Sequence, residues 1–161
     1  MRHILVIGYG NPLRGDDGFG KVAAELLQQR GFAGLEIIVS HQLNPELAER
    51  IHNSRHTIFL DAEAGDEPGA LRATAVEPCD LSSSGMHNFE PGSLLALSQA
   101  LYGEAPPATL ITAGARSFEH GAEISPEVRC AANAAAEAIA SAAALCDFDS
   151  HTLSSNLHQG R

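Results

Sequence analysis

The apolar positions of the chain fall into two alternating kinds of run. His3 to Gly8 carries Ile4-Leu5-Val6-Ile7 without a polar break, the pattern of a strand buried on both faces. Phe19, Val22, Ala23, Leu26 and Leu27 then recur at helical spacing and form one stripe. Leu35 to Ser40 reads as a second strand. Asn44-Pro45-Glu46 predicts a helix start with Asn44 as cap and Pro45 at the first helical position, and Leu43, Leu47 and Ile51 supply its apolar edge. His56 to Ala62 is a third strand, and Ala70 to Val76 a fourth, more exposed one because its apolar residues alternate. Ser82 to Pro91 is a polar loop, Gly92 to Leu101 a helix and Thr109 to Ala115 a fifth strand. Ser125-Pro126-Glu127 opens an alanine-rich helix reaching about Leu145. From Asp147 to Arg161 no apolar period is evident, which predicts a flexible C-terminal tail.

Strands alternating with helices imply an α/β fold: a twisted, mostly parallel five-stranded sheet with helices on both faces. A length of 161 residues suits a single domain over 1–146, followed by the tail at 147–161. Such sheets bind ligands at the C-terminal ends of their strands. That rule gathers three segments: Gly10–Gly18, Asp61–Gly65 and Ser82–Pro91.

Charge narrows the choice of partners. The formal net charge is -10 at pH 7, and the ten Lys and Arg residues are scattered. Neutralising phosphates needs clustered basic groups, so nucleic acid is a poor partner, as is an anionic membrane surface. No apolar run approaches the ~20 residues of a membrane span. The N-terminal apolar run ends at Gly8, too early for a secretory signal, so a cytoplasmic protein is expected. Cys79, Cys130 and Cys146 are odd in number and far apart, which suits reduced thiols better than a disulfide framework or a zinc knuckle.

The loop Gly8-Tyr9-Gly10-Asn11-Pro12-Leu13-Arg14-Gly15-Asp16-Asp17-Gly18 superficially resembles a dinucleotide fingerprint. Leu13 stands where the third glycine belongs, and two aspartates sit where a pyrophosphate needs positive potential. The Lys and Ser/Thr of a P-loop are missing too. One aspartate of the pair can cap the following helix, which leaves the other free for a cation. Asp61, at the end of the third strand, emerges at the ligand edge of the sheet. His87 adds an imidazole in the polar loop. Two carboxylates and an imidazole make an N/O donor set for zinc, nickel or a similar ion. There is no Gly-x-Ser-x-Gly elbow, no HExxH pair and no cysteine in a nucleophilic setting. The residues alone therefore point to an α/β domain with a candidate metal site. A non-catalytic metal- or nucleotide-binding module remains the alternative.

The segment Ile4-Leu5-Val6-Ile7-Gly8-Tyr9-Gly10-Asn11-Pro12-Leu13-Arg14-Gly15-Asp16-Asp17-Gly18-Phe19-Gly20 resembles the opening signature of the hydrogenase maturation proteases. His41-Gln42-Leu43-Asn44-Pro45-Glu46-Leu47-Ala48-Glu49, Phe59-Leu60-Asp61-Ala62 and Gly85-Met86-His87 resemble the same family in the same order, and Ser125-Pro126-Glu127-Val128 follows in register. The resemblance implies an endopeptidase that removes the C-terminal extension of a nickel-iron hydrogenase large-subunit precursor after nickel insertion. It implies that Asp17, Asp61 and His87 grasp that nickel, with Asp16 as second choice beside Asp17. On this view no cofactor is tightly bound. Nickel arrives with the substrate, a zinc-like ion could occupy the site, and the protein acts as a monomer. Met86 departs from the Ser-x-His pattern of the family's histidine loop. His41-Gln42 is typical of one branch, which leaves His41 either lining the cleft or simply ending a strand.

Overall fold

The computed structural model describes residues 3–81, 89–145 and 150–158. Along them run β1 (Ile4–Tyr9), α1 (Phe19–Arg30), β2 (Leu35–Ser40), α2 (Leu47–Asn53), β3 (His56–Ala64), β4 (Leu71–Val76), α3 (Pro91–Tyr102), β5 (Ala108–Ala115), α4 (Pro126–Ala143) and α5 (Ser150–His158). The five strands form one sheet in the order β2-β1-β3-β5-β4. β1 pairs in parallel with β2 and β3, and β3 with β5; β4 joins the far edge of β5 antiparallel. This is the mostly parallel α/β sheet that the alternation of patterns predicts.

Successive side chains of a strand face opposite ways, and the two cores follow that parity. Ile4, Val6, Ile58, Leu60, Ile111 and Ala113 face α1, α4 and α5. Leu5, Ile7 and Phe59 face α2 and α3, where they meet Leu47, Ile51, Leu94 and Leu95. The stripe expected on α1 holds, with Phe19, Ala23 and Leu27 fully buried. α4 presents Ala131, Ala132, Ala135 and Ala136 to the core, and these small side chains let it pack on Ala23 and Ala24 of α1. Ser125 caps α4 as expected: its hydroxyl oxygen accepts the Val128 N–H at 3.4 Å, and Pro126 follows at the first helical position.

Two local expectations are overturned. Asn44 does not cap α2, which begins at Leu47. The Asn44 and Pro45 carbonyls accept the Leu47 and Ala48 N–H groups at 3.2 and 3.1 Å, so a backbone turn supplies the acceptors. The region expected to lack structure beyond Asp147 contains α5. Leu153 and Leu157, four residues apart, share one helical face and enter the core beside α4 and β4, 0% and 9% exposed. Tertiary burial stabilises this helix, since two leucines in nine residues make a weak pattern alone. Leu153→Ala should therefore lower stability by about 2–4 kcal/mol, the usual cost of emptying a buried leucine site. Urea denaturation measures it; an unchanged midpoint would mean that α5 adds nothing to the core.

Candidate active site

The chain leaves β1 for β2 on one side and returns to β3 on the other, so the sheet reverses direction of assembly at β1. Helices on opposite faces diverge there, and the C-terminal ends of β1 and β3 open into a crevice. The first turn of α1 closes against both strand ends. A Cβ on Gly20 would collide with the carbonyl oxygens of Leu60 and Tyr9, so glycine is required for this approach. Gly10, with φ +132°, turns the chain out of β1, and a side chain there would strike the Asp17 carbonyl.

The two adjacent aspartates face different surroundings. Asp16 is 1% exposed. Its Oδ2 accepts the Arg116 and Ser117 N–H groups at 2.7 and 3.3 Å, and its Oδ1 accepts the Ser125 N–H at 2.6 Å. It thus ties the first loop to the β5–α4 connection. Burial alone would raise its pKa; the bonds from the Ser125 N–H, the Arg116 N–H, the Ser125 hydroxyl and the Ser117 N–H outweigh this and hold the carboxyl below its ordinary value. Among the described residues, Asp17 accepts one hydrogen bond, from the Asn11 N–H to Oδ2 at 2.8 Å, and it lines the crevice. Neither aspartate caps α1 through its side chain, contrary to the expectation for one of them. The division into one structural and one outward carboxylate nevertheless matches the sequence reasoning, with Asp16 committed to the scaffold.

Asp61 enters from β3. Its Oδ1 accepts the Ala62 N–H at 2.8 Å, and its carboxyl also accepts a hydrogen bond from the Tyr9 hydroxyl. Burial pushes its pKa up to about 6. The bonds from Tyr9 and Ala62 oppose the rise, while the charges of Asp17 and Glu63 add to it. Burial raises the Tyr9 hydroxyl as well, and Asp61, Glu90 and Asp17 raise it further, so Tyr9 keeps its proton and remains a donor.

Tyr9, Gly10, Asp17, His41, Gln42, Leu43, Asp61 and Phe89 line one cleft of about 400 Å³. Asp17 and Asp61 therefore share a cavity although 44 residues separate them in sequence. His41 lines it as well. His87 lies outside the described residues; it precedes the cleft-lining Phe89 by two positions in sequence. Among the described residues no group of three or more His, Cys, Asp or Glu side chains could hold a metal ion. What the described wall offers a divalent cation is the pair of carboxylates. Sequence reasoning did not single out Tyr9, because its partnership with Asp61 depends on strand register.

No protein-family model matches the sequence, and no curated protein does either. Solved structures do. The chain is similar to the NiFe hydrogenase maturation protease HycI from Thermococcus kodakarensis KOD1, with a TM-score of 0.71 and 23% identity over 87% of this chain and 91% of that one. It is similar to the hydrogenase maturating endopeptidase HybD from E. coli, with a TM-score of 0.68 and 26% identity over 85% and 89%. It is similar, too, to the hydrogenase 2 maturation peptidase from Thaumarchaeota archaeon SCGC_AB-539-E09, with a TM-score of 0.66 and 26% identity over 88% and 97%. These neighbours share the fold of this chain and support its resemblance to the hydrogenase maturation proteases. The neighbours are named as proteases and endopeptidases, that is, as peptide hydrolases.

The carboxylates Asp16 and Asp61 should respond to pH with opposite signs. Asp16, depressed in the folded state, contributes stability above the unfolded carboxyl value of about 4, and that contribution is lost as pH falls through its lower folded value. Asp16→Asn should cost about 2–4 kcal/mol at neutral pH, and the gap to wild type should narrow in acid. Asp61 is raised, so the folded state binds its proton more tightly than the unfolded chain does. Its ionisation erodes stability as pH climbs from about 4 to about 6. Asp61→Asn should then fold more stably than wild type at pH 7.5, by about 1 kcal/mol. Urea titrations between pH 3 and 8 measure both; a destabilised Asp61→Asn protein would contradict the assignment of Asp61 as a strained charge.

Proposed function

We propose that the protein removes the C-terminal extension of a nickel-iron hydrogenase large-subunit precursor after nickel insertion. The nickel carried by that substrate acts as the recognition element. The single observation that supports this best is the convergence of Asp17 and Asp61 in one cleft at the switch point of the sheet. Two carboxylates facing the same 400 Å³ space repel each other until a cation joins them. Asp16 holds the loop to the β5–α4 connection, whereas Asp17 accepts the Asn11 N–H within its own loop and lines the cleft.

In this reading the substrate's nickel meets Asp17 and Asp61, and His87 contributes the third donor. Carboxylate oxygens and imidazole nitrogen suit such an ion. A divalent ion polarises a carbonyl or lowers the pKa of water, and either helps to hydrolyse a peptide bond. The part played by this chain is to hold the metallated end of the precursor so that the scissile bond lies within the cleft. A precursor without nickel leaves the two carboxylates unjoined and docks poorly. The activity is cytoplasmic, where the precursor would be assembled, and the protein acts as a monomer.

Mass spectrometry of a nickel-loaded precursor tests the assignment residue by residue. Asp17→Ala, Asp61→Ala and His87→Ala should each slow release of the extension roughly 100-fold or more while the protein stays folded. Normal processing by the folded Asp61→Ala variant would end the proposal.

A further inference from the structure

We infer that the unpaired outer edge of β2 is the track on which the C-terminal extension of the precursor lies, added to the sheet as an antiparallel strand that starts in the cleft. The inference rests on the processing role proposed above and gives that role a surface for the peptide.

Backbone geometry defines the edge. β2 is the terminal strand of the sheet, and its pairing with β1 runs unbroken from Ile4 opposite Leu35 to Tyr9 opposite Ser40. The Ile4 N–H donates to the Gly34 carbonyl at 3.0 Å. In a parallel pair alternate residues turn toward the neighbour, so Glu36, Ile38 and Ser40 bond to β1. Leu35, Ile37 and Val39 then direct their N–H and C=O groups away from the sheet, a row of donors and acceptors open to another strand. All of β2 is half-buried, whereas Ile4 to Gly8 of β1 are buried.

Folded proteins usually guard such an edge with Lys, Pro, a bulge or a covering element. β2 carries neither Lys nor Pro, and its one charge, Glu36, is occupied by His3 and Arg50. The opposite edge of the sheet differs: α5 packs against β4, and β4 bears Arg72. β2 also offers apolar surface beside its backbone. Leu35, Ile37 and Val39 join Val22 and Leu26 of α1 as half-buried side chains on the rim of the α1/α4 core. An extended peptide places alternate side chains against such a rim.

Two features select the occupant. The first is continuity with the cleft. The Gly10 N–H donates to the His41 carbonyl at 3.2 Å, which carries the bonding between the two segments past Ser40. His41, Gln42 and Leu43 then line the cleft with Asp17 and Asp61. A strand laid on β2 therefore reaches the carboxylates by its own continuation. The extension begins at the scissile bond, so it leaves the cleft and runs back along β2 in the opposite direction. The 6 residues of β2 accommodate about 20 Å of such a strand. The second feature is charge. A net charge of -10 on each copy opposes edge-to-edge pairing of two molecules and favours a peptide from another chain.

The test uses the unaltered full-length protein and a synthetic peptide spanning the cleavage region and extension of a candidate precursor. With the peptide in excess, amide hydrogen exchange at Leu35, Ile37 and Val39 should slow roughly 10-fold or more. Peptides N-methylated at alternate residues read the period of the contact. Methylation in the phase whose N–H groups face β2 should abolish the slowing, and methylation in the other phase should preserve it. Unslowed edge amides, or equal loss in both phases, would overturn the inference. So would slowing produced by raising the protein concentration alone, which would seat a second copy on the edge. Nickel-loaded precursor added to the same preparation separates this edge from the processing role. Cleavage with unslowed edge amides leaves the processing role standing without this track; slowed amides without cleavage sink the processing role and keep the edge as a peptide-binding surface.

Discussion

The first turn of α1 lies closer to the ends of β1 and β3 than any side chain would permit, and the site depends on that approach. Glycine at position 20 lets the helix backbone rest against the Tyr9 and Leu60 carbonyls. The parallel register of β1 with β3 then carries Tyr9 and Asp61 to the same height. Gly10 turns the chain sharply at that point, so the loop folds back and delivers Asp17 into the same cleft. Scaffold and chemistry are thus joined in one short stretch of chain. This explains why a loop with an opening like a nucleotide fingerprint can serve anionic side chains instead of anionic ligands.

Three aspartates show how environment assigns roles to one residue type. Asp16 receives N–H donors on both oxygens and is a structural anion, worth most where it is least accessible. Asp61 is buried without enough compensation, so its charge is held at a cost to folding. Asp17 accepts the Asn11 N–H within its own loop and lines the cleft. Sites that must bind a cation need acceptors that the protein leaves underused, and stability is spent to keep them so.

The layout of strands and helices was legible because apolar period reports burial directly. The unbroken Ile4–Ile7 run marked a buried strand, and the alternation before Val76 marked a more exposed one. What escaped depended on distant partners. Asp16 and Asp17 are neighbours with the same side chain, and their difference comes from Arg116, Ser117 and Ser125, a hundred residues away. Tyr9 beside Asp61 is a matter of register, which no local pattern encodes. Leu153 and Leu157 make too sparse a stripe to predict α5 until the surface of α4 and β4 is there to receive them. At Asn44 the local rule lost to a backbone turn offering the same hydrogen bonds. The pairing of Asp17 with Asp61 in one cleft was foreseen because both follow strands that end at the switch point, a topological argument that does not need side-chain detail.

In the proposed mechanism, two carboxylates wait for a cation that the client brings. Its most direct test is to offer the unaltered protein one large-subunit precursor in two forms, nickel-loaded and nickel-free, and to weigh the products. The loaded form is expected to lose its C-terminal extension and the other to keep an intact mass. Equal cleavage of both forms would contradict it.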